Sequence, residues 1–194
     1  MTTAIGAGIA YTENPWDPAR PVPSVQQSTA WARSVNPLLR RRAARDHRLP
    51  SALVPALADD TDLGVRVLLA HYHPDAPPWL LLRAFREYPS SSRGRLPWLP
   101  NFPTAGLARL ADDTDPAVRQ LVALDPLAPP ELIDRLTQDT DTTVRYAMAQ
   151  CPRLSLDRII ELLDHADLAE PAAANPALPV ARMWDLLTRN EHGR

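Results

Sequence analysis

Apolar positions recur along this chain in short bursts with helical spacing, and proline punctuates the bursts. Block 115–140, DPAVRQLVALDPLAPPELIDRLTQDT, shows the pattern most cleanly. Asp115 is placed to cap a helix, and Pro116 suits the first helical position, where a missing N–H costs nothing. Val118, Leu121 and Val122 then fall on one helical face. Asp125-Pro126 ends that helix, because the residue before a proline avoids the helical region. Pro130 opens a second helix whose apolar face is Leu132, Ile133 and Leu136. Each predicted helix has about eight or nine residues, too few to be stable alone in water, so each must bury its stripe against neighbours.

The pattern repeats. Leu57-Ala-Asp-Asp-Thr-Asp62, Leu110-Ala-Asp-Asp-Thr-Asp115 and Leu136-Thr-Gln-Asp-Thr-Asp141 are near-identical strings, and each leads into a Val-Arg pair at 65–66, 118–119 or 144–145. The second and third strings lie 26 residues apart and the first and second 53. Blocks 36–61 and 141–166 align with 115–140 without a gap; 62–88 takes one inserted residue near His73. Block 89–114 keeps only its second half, its first half PSSSRGRLPWLPN having lost the apolar helical pattern. Block 167–190 is two residues shorter but keeps Asn175-Pro176, Leu178-Pro179 and the run 183–187. Six two-helix units are therefore expected over about 36–190, after a loop-like, non-repeat arm 1–35 containing Pro15, Pro18, Pro21 and Pro23.

Strings such as DPAVRQLVALDPLAPPELIDRL resemble the leucine-rich repeat variant, a short two-helix repeat of bacterial proteins, and are similar to HEAT-like repeats. The resemblance covers about four fifths of the chain. It implies an all-α, right-handed α-solenoid of stacked units, each with one α-helix and one shorter helix that can be 3₁₀. It says little about function, because such folds host many roles. The prototype of that family carries a cysteine-rich iron–sulfur segment before its array; residues 1–35 contain no Cys, so no cofactor is carried over.

Composition agrees with a folded domain: 194 residues, 45% hydrophobic and 23% charged. The 22 Pro, against only 6 Gly, are accounted for as helix punctuation. No apolar run reaches a membrane span and no signal-peptide pattern opens the chain, so a soluble cytoplasmic protein is the expectation. The single Cys151 excludes an intramolecular disulfide and any cysteine-rich metal site; as the residue before Pro152 it reads as a small turn residue.

Charge changes the picture more. All 21 basic residues are Arg, a usage that a GC-rich genome favours, and the net charge is −2. Residues 1–97 hold 12 Arg against 8 acids, and 98–194 hold 9 against 15. Arg40, Arg41, Arg42, Arg45 and Arg48 crowd one stretch and are the candidates for nucleic-acid contact; the plainer reading is a solvated helix face. Block alignment yields three columns. Arg40, Arg66, Arg93, Arg119 and Arg145, followed by Glu170, form one, which is either a ligand-binding ladder or a set of internal pairs with each helix's own cap Asp or an Asp of the adjacent unit; internal pairing is favoured. Arg83, Arg109 and Arg135, followed by Glu161 and Asp185, form a bipolar stripe. Trp79 interrupts a column of small or charged residues expected to be partly exposed: Ala52, Ala105, Glu131, Asp157 and Ala181.

The irregular block gathers the candidate partner-binding residues. Trp79, Trp98 and Phe102 near Arg83, Arg93 and Arg95 have the composition of an interaction hot spot, which Arg109 and Arg135 would extend. Alternatively, Trp79 and Trp98 fill the space left by the lost helix, and Trp184 is core or end-capping. No catalytic constellation is visible: no phosphate-cradling Gly loop, nucleophile elbow or His-Glu-x-x-His string. His71-Tyr72-His73-Pro74-Asp75 matches no metal spacing, and the recurring Asp-Asp-Thr-Asp lacks the Gly and terminal Glu of a calcium loop. The expected function is thus a non-enzymatic module for a protein or peptide partner, with no cofactor and no metal. The alternatives are a HEAT-like DNA-binding protein related to alkylpurine DNA glycosylases and a small-molecule-sequestering protein. Oligomeric state is not encoded in any of these patterns.

Overall fold

The computed structural model describes residues 22–182, so the run 183–187, Trp184, Asp185 and most of the arm 1–35 lie outside the described residues. The described chain is all helical, with no strand among its residues. Its α-helices are α1 (Val25–Ala32), α2 (Pro37–Ala44), α3 (Val54–Ala58), α4 (Leu63–Tyr72), α5 (Pro78–Glu87), α6 (Pro116–Gln120), α7 (Pro130–Leu136), α8 (Thr142–Ala149), α9 (Leu156–Leu163) and α10 (Ala169–Ala173). Short 3₁₀ segments cover Ser51–Leu53, Ser91–Trp98, Leu107–Leu110 and Leu121–Leu124. No described helix is long and apolar enough to cross a membrane.

Local chemistry sets the helix starts. Asn36, Asp62, Asp115 and Asp141 each cap a helix, their side-chain oxygens accepting from the N–H of Leu38, Val65, Ala117 and Val144 respectively. Pro37, Pro78, Pro116 and Pro130 stand in the first turn of α2, α5, α6 and α7. The helix from Pro116 is shorter than its pattern predicts: α6 has five residues and tightens to 3₁₀ over Leu121–Leu124 before Asp125-Pro126 stops it. Its apolar face is as predicted, with Val118, Leu121 and Val122 buried, and Ile133 and Leu136 buried on α7. The main contacts link elements close in sequence: α1 with α2, α2 with α4, α4 with α5, α6 with α8, α7 with α8, and α10 with α8 and α9.

Two expectations need correction. The arm is not loop throughout, because residues 25–32 form α1, which packs on α2 and buries Ser28 at its hydroxyl bond to Asp46, 2.7 Å away. The irregular block also does not leave a hole for Trp79 and Trp98. Its Ser- and Gly-containing start, with Pro97, supports only the 3₁₀ segment Ser91–Trp98, and Leu96, Phe102 and Leu107 fill the core there. Phe102 meets Phe85 edge-on at 6.3 Å between ring centres.

A second kind of order lies at the turns. Asp46, His73, Asp125 and Asn175 are buried, and each accepts a bond from the backbone N–H two residues on, at Arg48, Asp75, Leu127 and Ala177. The remaining polar atoms of these side chains reach another segment. Asp125 accepts from Ala108 N–H at 3.0 Å. His73 Nε2–H donates to the Leu49 carbonyl at 2.9 Å, the tautomer being fixed by the bond that Nδ1 accepts. Asn175 donates to the carbonyls of Ala149 and Cys151 at 2.7 and 2.9 Å. Buried polar groups are thereby satisfied while adjacent blocks are stapled.

Candidate functional site

The first Arg column is spent on cohesion. In the regular blocks Nη1 of Arg40, Arg66, Arg119 and Arg145 donates to two carbonyls of the turn before its own helix, for Arg119 those of Asp113 and Thr114 at 2.8 and 3.3 Å. Nε and Nη2 of Arg40 and of Arg119, and Nη2 alone of Arg66, bond a carboxylate about 20 residues further along: Asp60 at 2.6 Å, Asp139 at 2.6 Å and Glu87 at 2.7 Å. The partner is therefore an acid near the end of the same block, neither the helix's own cap nor an acid of the adjacent block. The recurring Asp-Asp-Thr-Asp follows from this division of labour: Asp60 receives Arg40, while Asp62 caps α4 and receives Arg41 through two bonds. Gly64 is what lets Arg41 in, since a Cβ there would stand 2.4 Å from its Nε.

The basic stretch is likewise engaged. Arg40, Arg41 and Arg48 are held by Asp60, Asp62 and Asp46; Arg42 lies over the Trp31 ring at 5.8 Å and Arg45 over the Tyr72 ring at 5.3 Å. No group of His, Cys, Asp and Glu among the described residues is placed to hold a metal ion.

These pairs depress the carboxyl pKa values. Arg119 holds Asp139, and Arg93 holds Asp115, below the usual carboxylate range. For Asp60, burial pushes the pKa up, and Arg40 together with the Asp62 backbone N–H outweighs it. For Asp46, burial is again outweighed, by Arg48 and the Ser28 hydroxyl, and the group sits at about 2. Each contributes stability that is present above its unfolded pKa and lost as pH falls through its folded one. The melting temperature, followed by circular dichroism from pH 7 to 2, should be nearly flat down to about pH 5 and then fall steeply below about pH 4. A curve that stays flat to pH 3 would contradict the role given to the pairs.

Column regularity breaks at the irregular block, and there a groove of about 630 Å³ opens between α5 and residues 103–118. Trp79 lines it and is 47% exposed; Leu82, Pro103 and Val118 add apolar wall. Arg83, Arg86 and Arg109 line it as well, with Glu87, Asp113 and Asp115. Arg83 pairs with Glu87 at 2.8 Å and Arg86 with Asp113 at 2.9 Å. Arg93 departs from its column: its guanidinium covers the Phe85 ring at 5.0 Å and binds Asp115 at 2.5 Å from behind the groove wall.

Of the sequence candidates, the groove thus gathers Trp79, Arg83 and Arg109, with Arg93 bonded to its wall. Phe102 is withdrawn from the exposed patch, being 4% exposed in the core. Trp98, 83% exposed, and Arg95 do not line the groove, and Arg135 pairs outside it with Asp112 at 2.9 Å. Arg86 was missed: the aligned columns singled out Arg83, three residues earlier on α5, and gave no reason to look at its neighbour. Comparisons with protein-family models, curated proteins and solved structures return no match for this chain.

Proposed function

We propose that the chain is a right-handed α-solenoid of short two-helix units, similar to the leucine-rich repeat variant, and that it acts as a non-enzymatic module binding a protein or peptide partner at its irregular third unit. The repeating caps, the Arg-to-carboxylate bonds of about 20-residue span and the stapled turns support the architecture. The single observation that carries the binding reading is the groove: a large aromatic, half exposed, beside three arginines and an apolar wall. Exposed Trp and Arg side by side supply most of the energy of typical protein contacts.

A displayed random peptide library panned against the full chain tests this. Recovered peptides are expected to bind the Trp79→Ala variant at least about tenfold more weakly, the loss typical of a buried aromatic anchor. Trp79 makes no contribution to the buried core, so the variant should melt like the parent. Peptides that bind parent and variant equally, or none recovered at all, would overturn the reading.

A further inference from the structure

We propose that the groove's occupant is an acidic peptide segment, with a carboxylate on Arg109 and an apolar side chain against Trp79; this rests on the peptide-binding reading above. The charge ledger of the groove decides the chemistry. Every carboxylate in its wall is already held by arginine: Glu87 by Arg66 and Arg83 together, Asp113 by Arg86, Asp115 by Arg93. Arg109 is exposed, and among the described residues it has no hydrogen-bonded or ion-paired partner. Of the three arginines that line the groove with these three acids, Arg109 alone is left unpaired, and Arg66 and Arg93 bond Glu87 and Asp115 from outside the lining.

The sequence explains the surplus. Arg135, the residue aligned with Arg109 in the next block, finds its carboxylate at Asp112, 23 residues back. Twenty-three residues before Arg109 stands Arg86, itself a cation and already bound to Asp113. The turn before Arg109 also leaves room for its guanidinium. Gly106 turns with φ 73°, and a Cβ there would come within 3.3 Å of Arg109 Nη1, so the glycine gives both the turn and the room beside the guanidinium. An open guanidinium fork that lines the same groove as an exposed Trp suits a carboxylate followed by an apolar group. A nucleic acid fits less well, since a phosphate chain would run past Glu87, Asp113 and Asp115 and meet no row of free cations.

The test uses the full chain and the peptides recovered by panning, synthesised with a fluorescent label. Peptides whose binding depends on Trp79 are expected to be rich in Asp and Glu beside an apolar residue, and to bind more weakly as salt rises. Arg109→Glu should weaken them about tenfold or more, and should shift a fresh selection toward basic peptides. Trp79-dependent peptides with no acidic preference, or an unchanged selection with Arg109→Glu, would overturn this inference while leaving the groove as a peptide site. A labelled single-stranded DNA oligomer that binds the parent more tightly than these peptides and is lost with Arg109→Glu would assign the same cations to nucleic acid instead. Failure of any peptide to depend on Trp79 is the separate outcome that removes the underlying reading. Arg109 makes no bond within the fold, so its substitution should leave the melting temperature unchanged.

Discussion

Asn175→Asp is expected to destabilise the chain by about 2–4 kcal/mol at neutral pH, although the two side chains have nearly the same size and shape. Asn175 is fully buried; its amide NH₂ donates to the carbonyls of Ala149 and Cys151, and its oxygen accepts from Ala177 N–H. Aspartate reverses the donor, placing a carboxylate oxygen against two carbonyl oxygens with no water to relieve it. The buried acid escapes by taking up a proton, which restores one donor. Its folded pKa is therefore raised, and the variant should lose stability as pH rises through that value. Urea denaturation at pH 7 and pH 4 checks both parts: a large loss at pH 7 and a smaller one at pH 4. The converse swap, Asp125→Asn, should also destabilise, because Asp125 accepts from two N–H groups, Ala108 and Leu127, and an amide NH₂ can accept from neither. Equal stability of parent and swaps would mean that these turns are not the staples described above.

The second large effect concerns the Arg column. Arg119 is 13% exposed in its side chain and Asp139 is 7% exposed. Arg119→Gln leaves Asp139 without its two guanidinium bonds and frees the carbonyls of Asp113 and Thr114. Removing one member of a pair so placed should cost about 1–3 kcal/mol, mostly the penalty of a carboxylate left without its partner. A cycle with Asp139→Asn separates the coupling from that penalty: the double variant should be less destabilised than the sum of the two single variants. Additive losses would mean that the two side chains do not stabilise one another across the 20 residues that separate them.

Much of the helical layout was legible because it is written in local chemistry. Asp115, Pro116, Asp125 and Pro130 mark starts and stops through backbone geometry alone, and the faces of Val118, Leu121, Val122, Ile133 and Leu136 follow from periodicity. Helix lengths were less legible, since the tightening to 3₁₀ over Leu121–Leu124 responds to packing and to the coming proline, not to propensity. The buried fates of Phe102, Asp125 and Asn175 were not legible, because a one-dimensional pattern does not say which segment lies opposite a turn. Cys151 held a visible clue, as it stands where Asp46, Asp125 and Asn175 stand in other blocks.

The candidate site divides in the same way. Aligning blocks placed Trp79, Arg83 and Arg109 in columns and singled out the irregular block, and these three residues share the groove. The alignment could not separate an arginine that is satisfied from one that is free. Arg93 and Arg109 look alike in sequence, yet one is bonded to Asp115 and stacked on Phe85 while the other faces solvent. That distinction depends on the position of Asp115 across the block and on Arg86 occupying the place of an acid, both of which are three-dimensional facts.

The distinction between cohesive and free arginines is the centre of the account, and one measurement addresses it directly: the urea unfolding midpoint of the parent, Arg119→Gln and Arg109→Gln under identical conditions. The predicted result is a clear fall in midpoint for Arg119→Gln and none for Arg109→Gln. Equal midpoints for all three, or a fall for Arg109→Gln alone, would contradict it.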